Sequence, residues 1–205
     1  MSSSEDQQGE HYFSARPASA EQRRRLHVRL AGRDVEVETA GGVFSPDHVD
    51  LGTQVLLRTV PEPPATGDLL DLGCGWGPVA LTLALLAPDA RVWAVDVNER
   101  ALDLARRNAA RLGLGNVVVA TPDEVPGDVS FATVWSNPPV RIGKPALHDL
   151  LRTWLPRLAP GADAWLVVGR NLGADPLQRW LTEEAGLATT REASAKGFRV
   201  LRVRP

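Results

Sequence analysis

Two periodicities divide the chain. Near the start, "RRLHVRL" and "DVEVETA" alternate polar and apolar residues on either side of Ala31-Gly32-Arg33. Period-two alternation across a glycine-containing turn predicts a β-hairpin. In "GGVFSPDHVDLGTQVLLRTV", Gly-Gly and Ser-Pro mark a loop, and the spacing of Val49, Val55, Leu56 and Val60 predicts a helix from about Asp47 to Thr59. "PEPPATG" then breaks the pattern as a Pro-rich linker.

From Asp68 onward, short apolar runs alternate with helical stripes. "DLLDLG", "RVWAVDV", "NVVVA", "VSFATVWSN" and "ADAWLVVG" read as five strands. Between them, "GPVALTLALLAP", Asn98 to Leu112 and "PALHDLLRTWLPRLA" read as helices, with Pro145 suited to a first helical turn. "DPLQRWLTEEAG" is a further helix, and "LATTREA" and "FRVLRVR" close the chain as two strands joined by Ser-Ala-Lys-Gly. The alternation predicts an α/β fold with a mostly parallel sheet covered on both faces and an antiparallel hairpin at one edge. Trp154, Trp165 and Trp180 fall on its core-facing positions.

Bulk properties narrow the class. A chain of 205 residues has room for one well-buried core. One cysteine, Cys74, excludes an internal disulfide and fits a reducing, cytoplasmic setting. No apolar run reaches membrane-span length, and the opening "MSSSEDQQGE" lacks the basic-then-apolar order of a signal peptide. Residues 1–10 read as a disordered tail, followed by exposed-looking Tyr12 and Phe13. A net charge of −2 does not announce a nucleic-acid binder. The cations are nevertheless uneven: Lys144 and Lys196 are the two lysines, and Arg23, Arg24, Arg25, Arg29 and Arg33 crowd the hairpin. The four histidines and one cysteine show no metal-ligand spacing, so no metal is expected.

The candidate chemistry lies at strand ends. "DLGCGWG" sits where a strand meets a helix, and Gly73, Gly75 and Gly77 permit a sharp turn and a close ligand approach. Its G-x-G-x-G spacing, with Asp71 before it and bulky Trp76 inside it, differs from the pyrophosphate-holding G-x-G-x-x-G. Asp96, 21 residues beyond Gly75, is placed to accept from ribose hydroxyls. That fits a nicotinamide dinucleotide as well as S-adenosylmethionine. Asp123 is either an adenine contact or a plain loop acid beside Glu124. In "VWSNPPVRIGK", two prolines follow Asn137 and fix the exit of a strand.

Asp71 to Gly77, Asp96 and Asn137-Pro138-Pro139, in that order, resemble the motifs of class I S-adenosylmethionine-dependent methyltransferases. More narrowly, the chain resembles the small methyltransferase domain group that includes ribosomal RNA guanine-N2 methyltransferases. "GVFSPDHVDLGTQVLL" shares the likeness, which runs from about His11 onward. The resemblance implies a Rossmann-like seven-stranded sheet of order 3-2-1-4-5-7-6 with the last strand antiparallel. It implies residues 11–60 as an N-terminal extension packed on a catalytic domain at 68–205. The cofactor would be S-adenosylmethionine, held by Asp71, Gly73, Cys74, Gly75, Gly77, Asp96, Val97, Asp123 and Asn137. Catalysis would fall to Asn137, Pro138 and Pro139, and the acceptor would be a guanine amine of ribosomal RNA.

An exocyclic amine is a weak nucleophile because its lone pair is delocalised. The Asn137 oxygen and the Pro138 carbonyl can each accept one of its N–H groups, aim the lone pair and stabilise the charge that develops. Val140 stands where relatives often carry an aromatic that stacks on the base, so Phe44 or Trp135 would have to supply that contact. Arg141, Lys144 and the hairpin arginines are candidate phosphate contacts. Cys74 reads as a packing residue and His148 as structural. Rival readings are a protein glutamine amide or a small-molecule amine as acceptor, an NAD(P)-dependent oxidoreductase, and a non-catalytic RNA-binding module.

Overall fold

β1 (Arg23–Leu30) and β2 (Arg33–Ala40) pair antiparallel in the expected hairpin, with Leu30 opposite Arg33. The two turn residues, Ala31 and Gly32, have φ of 48° and 75°. Two positive φ values in a two-residue loop make a turn whose twist matches the flanking strands, and Gly32 accommodates its half without strain. The computed structural model describes residues 17–205, so the expected tail at 1–10 and Tyr12 and Phe13 lie outside the described residues.

α1 (Leu51–Thr59) begins later than the apolar spacing predicts. Asp50 caps it, accepting from Gly52 N at 2.8 Å and Thr53 N at 3.2 Å, and an N-cap carboxylate sets where a helix starts. Pro46 to Val49 therefore remain loop.

The main sheet comprises β3 (Asp68–Leu72), β4 (Arg91–Val95), β5 (Val117–Ala120), β6 (Phe131–Ser136), β7 (Leu158–Gly169), β8 (Ala188–Ala195) and β9 (Phe198–Arg204). Their spatial order is β5-β4-β3-β6-β7-β9-β8. Counted within the sheet this is 3-2-1-4-5-7-6, and β9 runs antiparallel to both neighbours. The connections are α2 (Pro78–Leu86), α3 (Glu99–Arg111), α4 (Lys144–Trp154) and α5 (Ala174–Glu183). Pro156 tightens the end of α4 into a 3₁₀ turn over Leu155–Arg157, and β7 starts earlier than its apolar run suggests.

One sheet face packs Leu70, Leu72, Val134 and Leu166 against Leu151, Trp154, Leu177 and Trp180 of α4 and α5. On the other face, α2 is buried continuously from Val79 to Ala84. Val79, Ala80, Leu83 and Ala84 meet the sheet, while Leu81 turns outward to join Leu30, Val37 and Trp76 beneath the hairpin. A helix apolar on every side must be covered on every side, and the hairpin supplies its second cover. Trp154, Trp165 and Trp180 are all buried, in keeping with the alternation. No helix among the described residues is long and apolar enough to cross a membrane.

Candidate active site

Strand order reverses between β3 and β6, and the carboxyl ends of those strands meet there. Such a switch point opens a crevice in which ligands bind. The glycine loop leaves β3 at this point. Gly73 N and Cys74 N donate to Val95 O at 2.8 and 3.0 Å, which folds the loop across the end of β4. Gly73 has φ of 79°, and a Cβ there would stand 3.7 Å from Pro139 Cδ, so two loops approach backbone to ring. Gly75 has φ of 55° and a Cβ built on it would meet nothing within 4 Å, so the loop presents bare backbone to open space.

Two acids brace this loop. Asp71 is buried, and its Oδ2 accepts from Ala80 N at 2.8 Å in the first turn of α2. Burial, reinforced by the neighbouring Asp96 charge and opposed by the Ala80 bond, pushes its carboxyl up to about 8. Asp96 accepts from Gly75 N at 2.9 Å and Asn98 N at 2.9 Å, and burial holds its carboxyl above the ordinary range. The α2 N-terminus, where a dinucleotide pyrophosphate would sit, already gives its Ala80 N–H to the Asp71 side chain. Two buried acids with little countercharge instead favour a ligand that brings positive charge and hydrogen-bond donors. S-adenosylmethionine, a sulfonium with an α-ammonium and a ribose, fits that requirement.

Trp76 does not crowd the ligand space as its bulk suggests. Its ring is buried on the hairpin side, with Nε1 donating to Ser45 O at 3.1 Å. Asn108, fully buried on α3, accepts from Glu38 N at 2.6 Å and donates to Glu38 O and Trp76 O, each at 2.9 Å. The loop is thereby tied to hairpin, helix and sheet. Cys74 is buried, and burial pushes its thiol well above the ordinary range, as suits a packing residue.

Asn137 follows β6 directly. Its Nδ2 donates to Asp50 Oδ2 at 2.9 Å and to Thr53 Oγ1 at 3.1 Å. Pro139, with φ of −75° and ψ of 70°, forms an inverse γ-turn in which Val140 N donates to Pro138 O at 2.8 Å. The Pro138 carbonyl is thus held still, but one of its lone pairs is already engaged. Asn137 shares one open cleft with Phe44, Asp50, Thr53, Asp71 and Gly73 to Trp76.

The remaining candidates are scattered. Val97 is exposed beside Asp96, and Asp123 is exposed in a 3₁₀ turn after β5; neither lines the cleft. Val140 packs partly against the α4-side core. Arg141 and Lys144 are exposed after the Asn-Pro-Pro exit. Trp135 is only 1% exposed and cannot reach a base, whereas Phe44 is 45% exposed at the cleft. The hairpin arginines are not a free basic tract: Arg23 pairs with Glu38, Arg25 with Glu36, Arg29 with Asp34 and Arg24 with Asp47. His148 stacks on Trp180 with centroids 3.7 Å apart, which is a structural contact. Asp50 and Thr53 were not foreseen as site residues. The capping role of Asp50 is readable from the sequence, but its reach to a residue 87 positions away is not.

A sheet of this order, with a glycine loop, a following acid and an Asn-Pro-Pro exit at its switch point, defines a class I S-adenosylmethionine-dependent methyltransferase. The methyltransferase small domain family matches residues 34–202, and the chain belongs to it. The uncharacterized protein YbxB of Bacillus subtilis (strain 168) is 34% identical over 168 residues, covering 80% of this chain and 84% of YbxB. Ribosomal RNA small subunit methyltransferase C of Pseudomonas aeruginosa (strain LESB58) is 32% identical over 184 residues, covering 88% of this chain but 54% of that protein. Among solved structures, the T. thermophilus 16S rRNA N2 G1207 methyltransferase with AdoMet and guanosine superposes with a TM-score of 0.76 at 23% identity. The match covers 92% of this chain and 52% of that one, a likeness of fold. The chain therefore spans about half the length of these ribosomal relatives.

Proposed function

We propose that the chain methylates the exocyclic N2 amine of a guanine in ribosomal RNA. The observation that carries the reading is the shared cleft, lined at once by Asn137, Gly75 and the exposed Phe44, with both Nδ2 hydrogens of Asn137 already engaged. The names of the ribosomal relatives support the choice of guanine and RNA.

Bound S-adenosylmethionine supplies an electrophilic methyl on a sulfonium. Gly73, Cys74, Gly75 and Gly77 shape its cradle, Asp71 braces the loop from beneath, Asp96 offers an acceptor for the ribose, and Val97 and Asp123, outside the cleft after β4 and β5, would meet the adenosine end. Asn137 Oδ1 and the second lone pair of Pro138 O accept the two N–H groups of the amine, which aims its lone pair along the line of displacement. Both acceptors stabilise the positive charge that grows on nitrogen as N–C forms and S–C breaks. The cationic product then loses a proton to water, so no strong base is needed. Pro139 holds the Pro138 carbonyl in place through its γ-turn. Phe44 offers a stacking face, and Val140, Arg141 and Lys144 border the exit, the two cations facing solvent for phosphate contact.

The test is transfer of a radiolabelled methyl group to ribosomal RNA and assembled subunits from a strain lacking the gene, followed by nucleoside analysis. Label in N2-methylguanosine is expected. Label in protein alone, or none in RNA with cofactor binding established separately, would move the acceptor to a protein or small-molecule amine. Asn137→Ala is expected to lower turnover about 100-fold or more while cofactor affinity changes little, since it removes an interaction strengthened in the transition state.

A further inference from the structure

We propose that Asp50 and Thr53 are positioning residues that lock the Asn137 carboxamide in one rotational state, and that Asp50 strengthens Asn137 Oδ1 as an acceptor. The inference rests on the reading of Asn137 as the amine acceptor, but the locked geometry can be tested without it.

A free asparagine side chain offers a donor or an acceptor depending on how its amide is turned. A turned amide would present NH₂ to an incoming amine, donor against donor. An ionised carboxylate only accepts, so the atom facing Asp50 must be Nδ2. Thr53 Oγ1 takes the second Nδ2 hydrogen. Both donors are then used, and no hydrogen bond within the described residues occupies Oδ1. The side chain is left with acceptor capacity alone.

Asp50 is itself held on several sides. Its Oδ2 accepts from Gly52 N and Thr53 N, and these N–H groups stand at the positive end of α1. There is no slack behind it: a Cβ on Gly52 would lie 2.8 Å from Phe198 Cε1 and 2.9 Å from Asp50 Oδ2. Thr53 is 3% exposed, so its hydroxyl has little freedom to turn away. The carboxylate therefore forms a relay. Its negative charge pulls on the amide hydrogens, which places more electron density on Oδ1, where the positive charge of the methylated amine develops. Hydrogen bonds to a charged group exceed neutral ones in strength.

The rival explanation is that Asp50 only caps α1. Three variants separate the two. Asp50→Asn keeps a good cap and removes the charge. Asp50→Ser keeps the cap but is too short to reach Asn137. Thr53→Val removes one acceptor at nearly constant shape. In the wild-type protein without ligand, NMR is expected to show Asn137 side-chain amide protons that exchange slowly with water, and faster exchange in Asp50→Ser and Thr53→Val. Single-turnover methyl transfer to ribosomal subunits from a strain lacking the gene is expected to fall about 10- to 100-fold in Asp50→Asn and about 3- to 10-fold in Thr53→Val. Placed on Asn137→Ala, Asp50→Asn is expected to add no further loss, because residues acting through one another are not additive. Full rate in Asp50→Asn, an equal added loss in the Asn137→Ala background, or rapid amide exchange in the wild type would each overturn the proposal. If no variant, wild type included, methylates RNA, the proposed substrate fails while amide exchange still decides the lock.

Discussion

Asp71 provides a sharp quantitative test of the site. An acid whose folded pKa is raised binds its proton more tightly in the native state than in the unfolded one. Between the ordinary value of 3.8 and the native value of about 8, the native protein therefore carries the extra proton, and stability falls as pH rises through that window. The slope from one such group is about 1.4 kcal/mol per pH unit. From pH 5 to pH 8 that amounts to about 4 kcal/mol, an upper figure because Asp96 titrates in the same field. Asp71→Asn removes the charge and keeps an oxygen for the Ala80 N–H. Urea unfolding of both proteins at pH 5, 6, 7 and 8 reads the difference directly. Relative to wild type, the variant is expected to gain stability steadily with pH. A difference that stays constant from pH 5 to 8 would show that Asp71 ionises normally and that the electrostatic account of the site is wrong.

Two further outcomes follow from the same packing. Asn108→Ala strands Glu38 N, Glu38 O and Trp76 O in a buried seam, and chemical denaturation is expected to show a loss of about 2–4 kcal/mol, with normal stability refuting the role given to that seam. Arg141→Ala with Lys144→Ala is expected to weaken RNA binding and flatten its salt dependence by about two contacts, leaving cofactor titration unchanged; an unaltered salt slope would remove both residues from the RNA path.

The fold was legible because its signals are local or periodic. The four β-α repeats, the Ala31-Gly32 turn and the terminal hairpin all follow from alternation, apolar spacing and turn residues within short windows. Helix starts were less legible: α1 begins at Leu51 because a side chain caps it, and apolar spacing does not register caps. In the site, Gly73, Gly75, Asp71 and Asn137 came from motifs, and the cleft brings them together. What the sequence withheld is the set of contacts between distant segments. Glu36 and Glu38 neutralise arginines that looked available, Trp76 buries its ring beneath the hairpin, and Asp50 crosses to Asn137. The hairpin pairs depend on strand register, and the Trp76 and Asp50 contacts depend on which distant segments the topology lays side by side.

The double cover of α2 also has a consequence in time. A ribosome releases the hairpin before α2 and α3, and its strands can pair at once because their partners are close in sequence. Yet the buried cluster that covers Leu30 and Val37 draws on Trp76, on Leu81 of α2 and on Ala101, Leu104 and Ala109 of α3, and Asn108, which ties the seam, lies 70 residues beyond Glu38. The nascent hairpin must therefore wait, one apolar face wet, until the chain through Arg111 has emerged. Its charged face can pair earlier, since Arg23, Arg25 and Arg29 find Glu38, Glu36 and Asp34 within the hairpin, and Arg111 joins Glu36 and Glu38 when α3 arrives.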